Sequence, residues 1–360
     1  MTKSDILIFS SLPKNSGCFL RARYLTHSLK KNGLKAKMII PSESVGFLLD
    51  FILSFFKNLA AVFTHDFKVG MAIKPYPNTL IPLLIKKMLF HTRIIVDIDD
   101  IDFGYRKGMI NHISRLIQKP FPRFFDTVTF HNPALKKFIT REYRVKKNKL
   151  YSLLQGVDFD VYRIKRSIRT FKIRLKRRLS LSRAKIMIYT AHLNIASDLD
   201  IILQNIAPLL EKRDYFLIVA GGGPLLSFFK DLSFRLNIKK IFFTGYQAPE
   251  EIVKYVLASD LAIVYYKKKE VNFYRSSMKL REYLALCKRV VSNDIGELKN
   301  FRRFVYQSAS DIGSFIKRID HVLGKNISDG REKNGYWFVK KNYDWLTIGK
   351  GFKQALSQFL

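Results

Sequence analysis

Short apolar runs alternate with helically patterned stretches from one end of this chain to the other. That rhythm restricts the fold more than any other feature. Parallel strands need a crossover of about a dozen residues or more, usually a helix, so a strand–helix alternation predicts a parallel α/β architecture. Strands are expected at 5–10, 36–40, 60–64, 93–97, 127–130 and 150–154, with helices at 20–32, 79–90 and 133–143 among them. Gly33 is expected to end the first helix. The rhythm restarts near residue 185, with strands at 185–190, 215–220, 240–244, 261–265, 289–292 and 304–306. Helices at 199–212, 225–236, 250–258 and 278–286 connect them. Two doubly wound halves follow, and 360 residues suffice for two domains.

The formal net charge of +35 bears on partners and not on fold. It favours polyanions: nucleic acid, anionic lipid headgroups or phosphorylated substrates; a plain lysine bias is the alternative. The two cysteines, Cys18 and Cys287, lie far apart without metal-ligand spacing, which fits a reducing cytosol. The N-terminus leads almost directly into the apolar run 6–9 and lacks the pattern of a signal peptide. Residues 45–63 come nearest to a membrane span, but Asp50 and Lys57 interrupt them, so an amphipathic or buried helix is expected there. Residues 163–185 hold Arg163, Lys165, Arg166, Arg169, Lys172 and further bases but no acid, with Ile164, Ile168, Phe171, Leu175 and Leu179 at helical spacing. Such a helix suits either a membrane surface or a connector that packs its apolar stripe on the second domain.

The chemistry concentrates at strand ends, where open α/β sheets bind ligands. In the segment 272–297 the polar loop Arg275, Ser276, Ser277 opens a helix that puts Lys279 and Glu282 on one face. Helix amides, hydroxyls and a lysine favour an anion, and Glu282 can accept from sugar hydroxyls. The other reading is an ordinary amphipathic helix with an exposed pair. The glycine turn Gly221-Gly222-Gly223 follows a strand, without the spacing of a dinucleotide fingerprint. Lys14-Asn15-Ser16-Gly17-Cys18 lies between the first strand and first helix. Asp97, Asp99, Asp100 and Asp102 crowd after another strand, offering hard oxygens to a metal or contacts to substrate hydroxyls. Ile101 does not fit a phosphatase nucleophile motif. His131 and Asn132 end a further strand; a structural hydrogen bonder and a catalyst are both open.

Several stretches, taken in order, resemble the glycosyltransferase family 4-like group with the GT-B fold. They are Gln155-Gly156-Val157-Asp158 with Tyr162; Phe243-Thr244-Gly245-Tyr246 followed by Pro249-Glu250-Glu251; Ser277-Met278-Lys279 through Glu282-Tyr283-Leu284-Ala285 with Arg289-Val290-Val291; and Asn342-Tyr343-Asp344-Trp345. The resemblance implies two Rossmann-like domains facing each other across a cleft. Residues 1–165 would bind the acceptor, 166–184 form a basic linker, 185–340 bind a nucleotide sugar, and 341–360 return a helix to the first domain. It implies a retaining transfer of a hexose from a UDP- or GDP-sugar to a glycolipid or polysaccharide-precursor acceptor, by a cytoplasmic enzyme held peripherally at an anionic membrane. No metal or other cofactor is expected, and no nucleic acid.

By the same resemblance the catalytic residues are Asp99, Lys279 and Glu282. The donor side comprises Gly17, Gly222, Tyr246, Arg275, Ser276, Ser277 and Met278, and the acceptor side Asp97, Asp102 and His131. The sequence departs from the family pattern at Tyr274, where the first of two paired glutamates is usual. Residues 191–197 lack the usual Arg and Lys, and Lys279 with Arg275 is expected to substitute for them. A non-catalytic protein of the same fold, binding nucleic acid or anionic polymer through its basic surface, is the alternative.

Overall fold

The computed structural model describes residues 4–14, 16–43, 46–105, 109, 115–162, 168–325, 327 and 329–360, without the side chains of Phe47 and Leu48. The chain forms two compact units. The first comprises Met1–Gly156, Tyr274–Ser276 and Tyr343–Leu360; the second comprises Val157–Phe273 and Ser277–Asn342.

The first unit is built on strands β1 (Ser4–Ser10), β2 (Ala36–Ile39), β3 (Phe67–Ile73), β4 (Arg93–Asp97), β5 (Thr127–Phe130) and β6 (Leu150–Ser152). Their order is β2-β1-β3-β4-β5-β6, every pair parallel. Side chains alternate across a strand, so both faces of this sheet must be covered. Leu7 and Phe9 face one apolar cluster, which includes Leu80, Leu83 and Phe138 from helices α3 (Pro77–Phe90) and α4 (Pro133–Glu142). Ile6 and Ile8 face the other, with Ala22 and Leu25 from α1 (Gly17–Lys31). Gly33 takes φ +85° and its amide caps Lys30 O, ending α1 as expected.

The segment 60–64, read as a strand, is instead the last turn of helix α2 (Phe47–Thr64). Its apolar residues continue the helical spacing of the preceding turns, and the strand begins only at Phe67. Lys68 and Gly70 broke the apolar run that would have marked it. Gly70 has a packing reason: a Cβ there would sit 2.4 Å from Leu83 of α3.

The second unit holds β7 (Lys185–Thr190), β8 (Tyr215–Ala220), β9 (Ile241–Phe243), β10 (Leu261–Val264), β11 (Val290–Asn293) and β12 (Tyr306–Ser308), in the parallel order β12-β11-β10-β7-β8-β9. This is the doubly wound dinucleotide-fold order, with its reversal between β7 and β10. Met187 and Tyr189 pack under α6 (Leu199–Lys212) and the later helix α11 (Ile312–Gly324). The last strand lies two residues beyond its expected position, because Phe304 is held in a turn by its amide to Phe301 O.

Helix α5 (Ile168–Arg178) realises the described part of the basic segment. It packs on α8 (Pro249–Ala258): Phe171 meets Tyr255 at 5.2 Å, and Lys172 Nζ lies 2.8 Å from Asp260 Oδ1, next to that helix's end. The connector reading therefore holds there; Arg163, Ile164, Lys165 and Arg166 lie outside the described residues. The final helix, α13 (Trp345–Leu356), packs on α1 within the first unit.

Candidate functional site

The switch point of the second sheet is occupied by α10 (Met278–Ala285). Tyr283 binds it there: its hydroxyl accepts from Thr190 N at 2.7 Å and lies 2.9 Å from Thr190 Oγ1, at the end of β7. Residues three apart share a helix face, so Lys279 and Glu282 come together. Lys279 Nζ lies 3.8 Å from the centre of the Tyr189 ring. Burial pushes the Glu282 carboxyl upward, against a hydrogen bond from Tyr162 and the nearby charge of Lys279. Both residues are half-buried, so the pair is not an exposed surface pair.

The start of α10 is fixed from below by two residues that the motif reading missed. Arg281 is fully buried and donates Nη1 to Ser277 O at 2.9 Å; its Nη2 binds Glu297 Oε1. Glu297 Oε2 in turn accepts the Ser277 amide at 3.1 Å. Ser277 is buried and its Oγ caps Leu280 N, while Met278 next to it is half-buried. A basic residue at an apolar-face position was the signal available for Arg281.

The glycine turn has a structural origin. Gly221 and Gly223 take φ +133° and +152°, and a Cβ would sit 2.0 Å from Ala191 O and 2.5 Å from Leu193 O. At Gly222 a Cβ would come within 2.9 Å of Tyr246 N, so the turn is tight against the protein's own loops. Tyr246 itself is exposed.

In the first unit Asp97 is fully buried and corrects its acceptor-side assignment. Arg21 Nε and Nη2 reach its two oxygens at 2.6 and 2.9 Å, and Thr129 Oγ1 binds it as well. A fully paired, buried carboxylate offers nothing to a ligand. The other acids stand beyond it around Lys74, whose backbone is held at φ +73°. Lys74 Nζ lies 2.5 Å from Asp102 Oδ1 and 3.5 Å from Asp99 Oδ1; burial lowers its pKa but these carboxylates outweigh it and hold it well above the usual range. Tyr76 donates to Asp102 Oδ2 at 2.8 Å. Asp99 Oδ1 is buried with no hydrogen bond. Burial raises Asp100 to about 6, although Lys74 opposes it.

His131 is buried, with Nε2 2.6 Å from Asp99 O and Nδ1 3.2 Å from Asn132 Nδ2, a positioning arrangement for the Asp99 turn. Arg275 and Ser276 belong to this unit, and the Arg275 guanidinium lies 5.6 Å from the Tyr105 ring. Gly17 opens α1, and a Cβ there would meet nothing within 4 Å. Asn15 beside it lies outside the described residues. Among the described residues no group of three His, Cys, Asp or Glu side chains could hold a metal ion.

Two parallel six-stranded sheets, each with ligand-type side chains at strand ends, define an α/β protein of the GT-B class. Residues 172–335 match the family described as glycosyl transferases group 1. It is 22% identical over 247 residues to TuaH of Bacillus subtilis (strain 168), whose name provisionally assigns it to teichuronic acid biosynthesis; the match covers 67% of this chain and 57% of that protein. Among solved structures, sucrose-phosphate synthase from Thermosynechococcus elongatus is similar with TM-score 0.77 and 13% identity, covering 98% of each chain. Anabaena HepE in complex with UDP and glucose gives 0.73 and 14%, covering 99% of this chain and 100% of that one. WaaG, a glycosyltransferase involved in lipopolysaccharide biosynthesis, gives 0.69 and 11%, covering 96% and 98%.

Proposed function

We propose that the chain is a retaining glycosyltransferase that moves a hexose from a nucleotide-diphosphate sugar to a glycolipid or polysaccharide-precursor acceptor at an anionic membrane surface. The observation that carries this is the half-buried Lys279–Glu282 pair on one face of α10, docked on the end of β7 at the sheet's reversal. Glu282 accepts from the ribose hydroxyls. Lys279 and the first amides of α10 stabilise the charge that grows on the departing diphosphate, where such fixed donors act most strongly. Asp99, whose Oδ1 makes no hydrogen bond and lies 3.5 Å from Lys74 Nζ, orients the acceptor hydroxyl together with Asp102. Gly17, with open space about it, is assigned to the donor side by the family resemblance alone. No metal or other cofactor enters this scheme.

The donor class is supported by the UDP complexes of HepE, and the acceptor class by the polymer-biosynthesis names of TuaH and WaaG. The test is titration calorimetry with a panel of UDP- and GDP-sugars. Binding by one of them, abolished in Glu282→Ala and Lys279→Ala, supports the proposal. An absence of heat with every donor, in protein that is folded, overturns it.

A further inference from the structure

Helix α2 is turned inside out. Its buried side carries Ser54 and Asn58, 2% and 1% exposed, with Ala61 and Val62. Ser54 Oγ accepts from Ser42 N at 2.9 Å and Asn58 Nδ2 donates to Asn78 O at 2.8 Å, while Asn58 Oδ1 is buried without a hydrogen bond. The opposite side holds Leu49, Ile52, Leu53 and Phe56, with Phe63 two turns further on, a spacing that puts them on one stripe. Phe56 is 60% exposed and Phe63 48%. An amphipathic helix of a soluble fold presents the reverse arrangement.

The stripe continues onto neighbouring elements of the same unit. Phe63 meets Phe90, at the end of α3, with ring centres 6.1 Å apart. Lys87 of α3 donates to Phe124 O at 3.0 Å, bringing in an exposed phenylalanine and the guanidinium of Arg123 beside its ring. Met88 and Leu89 are exposed on the same helix end. Cations border this surface, Lys57 on α2 and Arg93 beyond α3. Of the six Lys or Arg in residues 46–93, Lys74 and Lys86 are buried, which leaves Lys57, Lys68, Lys87 and Arg93 against Asp50 and Asp66.

We infer that the outer face of α2, with the C-terminal end of α3, is a docking surface that lies in the headgroup region of an anionic bilayer. This rests on the membrane-surface part of the function proposed above. Apolar residues flanked by bases on one helix combine area burial with attraction to anionic lipid. Charge also selects the occupant. A second copy would bring another +35 against this one, which repels, whereas an anionic bilayer attracts. Nucleic acid offers phosphates and bases that stack on aromatic rings, but no apolar interior to cover the aliphatic Leu49, Ile52 and Leu53. No described helix is long and apolar enough to cross a membrane, so α2 lies on the bilayer and does not span it.

The test is co-sedimentation of the full chain with phosphatidylcholine vesicles, with and without phosphatidylglycerol. Wild type is expected to pellet with the anionic vesicles. Leu53→Ser/Phe56→Ser should lose about tenfold or more of that binding, since each exposed apolar side chain removed deletes area that the bilayer would cover. Lys57→Glu/Arg123→Glu should lose the preference for phosphatidylglycerol. Phe234→Ser, which alters an exposed phenylalanine of the second unit, should bind as wild type. Unchanged binding by Leu53→Ser/Phe56→Ser overturns the inference, as does wild type that ignores both vesicle types. Conversion of a dimer to a monomer by that variant, seen by sedimentation velocity, overturns it in favour of a second copy. Donor calorimetry on the same variants is expected to match wild type, so a failure of donor binding and a failure of this surface are read separately.

Discussion

Arg21 and Asp97 form a two-point ion pair with no exposure to solvent, Nε to Oδ2 at 2.6 Å and Nη2 to Oδ1 at 2.9 Å. The same guanidinium donates to Leu153 O, Leu154 O and Gln155 Oε1, and its carbon lies 5.7 Å from the Trp345 ring. One side chain thus ties α1, β4, the end of β6 and α13 together. Breaking such a pair leaves a buried charge unpaired, at a cost of about 3–5 kcal/mol, although an apolar replacement of both partners can be neutral. Arg21→Met is expected to lower the unfolding free energy by that amount, and Arg21→Met/Asp97→Leu to recover a large part of it. Urea denaturation of the four proteins of this cycle checks both.

The alternating pattern made both sheets legible, since strands buried on both faces are continuous apolar runs; β4, β5, β7 and β8 fall where the sequence places them. The failures share a cause, which is that local apolarity does not say which side is inside. The turn 60–64 is apolar on a helix whose outward face is apolar, and β3 was hidden by Lys68 and Gly70. At the candidate site, Lys279 and Glu282 were legible from spacing. Asp97 was read as a ligand group because its partner, Arg21, lies 76 residues away in sequence and only the fold brings them together. For the glycines at 221–223 a ligand approach and a plain tight turn were both open in the sequence, and the closeness of Ala191, Leu193 and Tyr246, visible only in the fold, gives the turn a packing reason.

Donor affinity should follow the ionisation of Glu282. Burial raises its pKa, while the Tyr162 hydrogen bond and Lys279 lower it. The carboxylate form accepts from the ribose, so binding is present above the folded pKa and is lost as pH falls through it. The loss should therefore begin at a higher pH than an ordinary glutamate would give. Removing the hydroxyl in Tyr162→Phe should move the onset further up. Calorimetric titration of the donor across an acidic pH series measures both onsets; identical profiles in the two proteins would disprove the coupling.

Asp100 supplies a pH-dependent stability of the opposite sign from a paired carboxylate. Its pKa is raised to about 6 by burial, so in the folded state it holds a proton at pH values where the unfolded chain has released it. Ionising it disfavours the fold, and stability falls as pH rises between its unfolded pKa and about 6. Relative to Asp100→Asn, wild type should lose roughly 1–2 kcal/mol between pH 4 and pH 7. Urea denaturation of the two proteins at both ends of that window measures the difference, and parallel behaviour would exclude the effect.

Two glycines separate a structural requirement from a functional one. Gly223 has φ +152°, and an alanine Cβ would sit 2.5 Å from Leu193 O, 2.7 Å from Leu193 N and 2.9 Å from Leu193 C. Those atoms are backbone and cannot swing aside. Gly223→Ala should cost about 2 kcal/mol or more in unfolding free energy, through strain at a positive φ together with the clash. Gly17 lies at the first position of α1, has ordinary helical geometry and faces open space. Gly17→Ala should leave unfolding unchanged or raise it by a few tenths of a kcal/mol, because alanine favours the helix. Under the proposed function, which assigns Gly17 to the donor side, the added methyl should lower donor affinity by about tenfold, equivalent to about 1.4 kcal/mol. Thermal unfolding and donor calorimetry on both variants complete the comparison. A Gly17→Ala protein with wild-type stability and wild-type donor affinity would remove this residue from the site while leaving the structural argument at Gly223 intact.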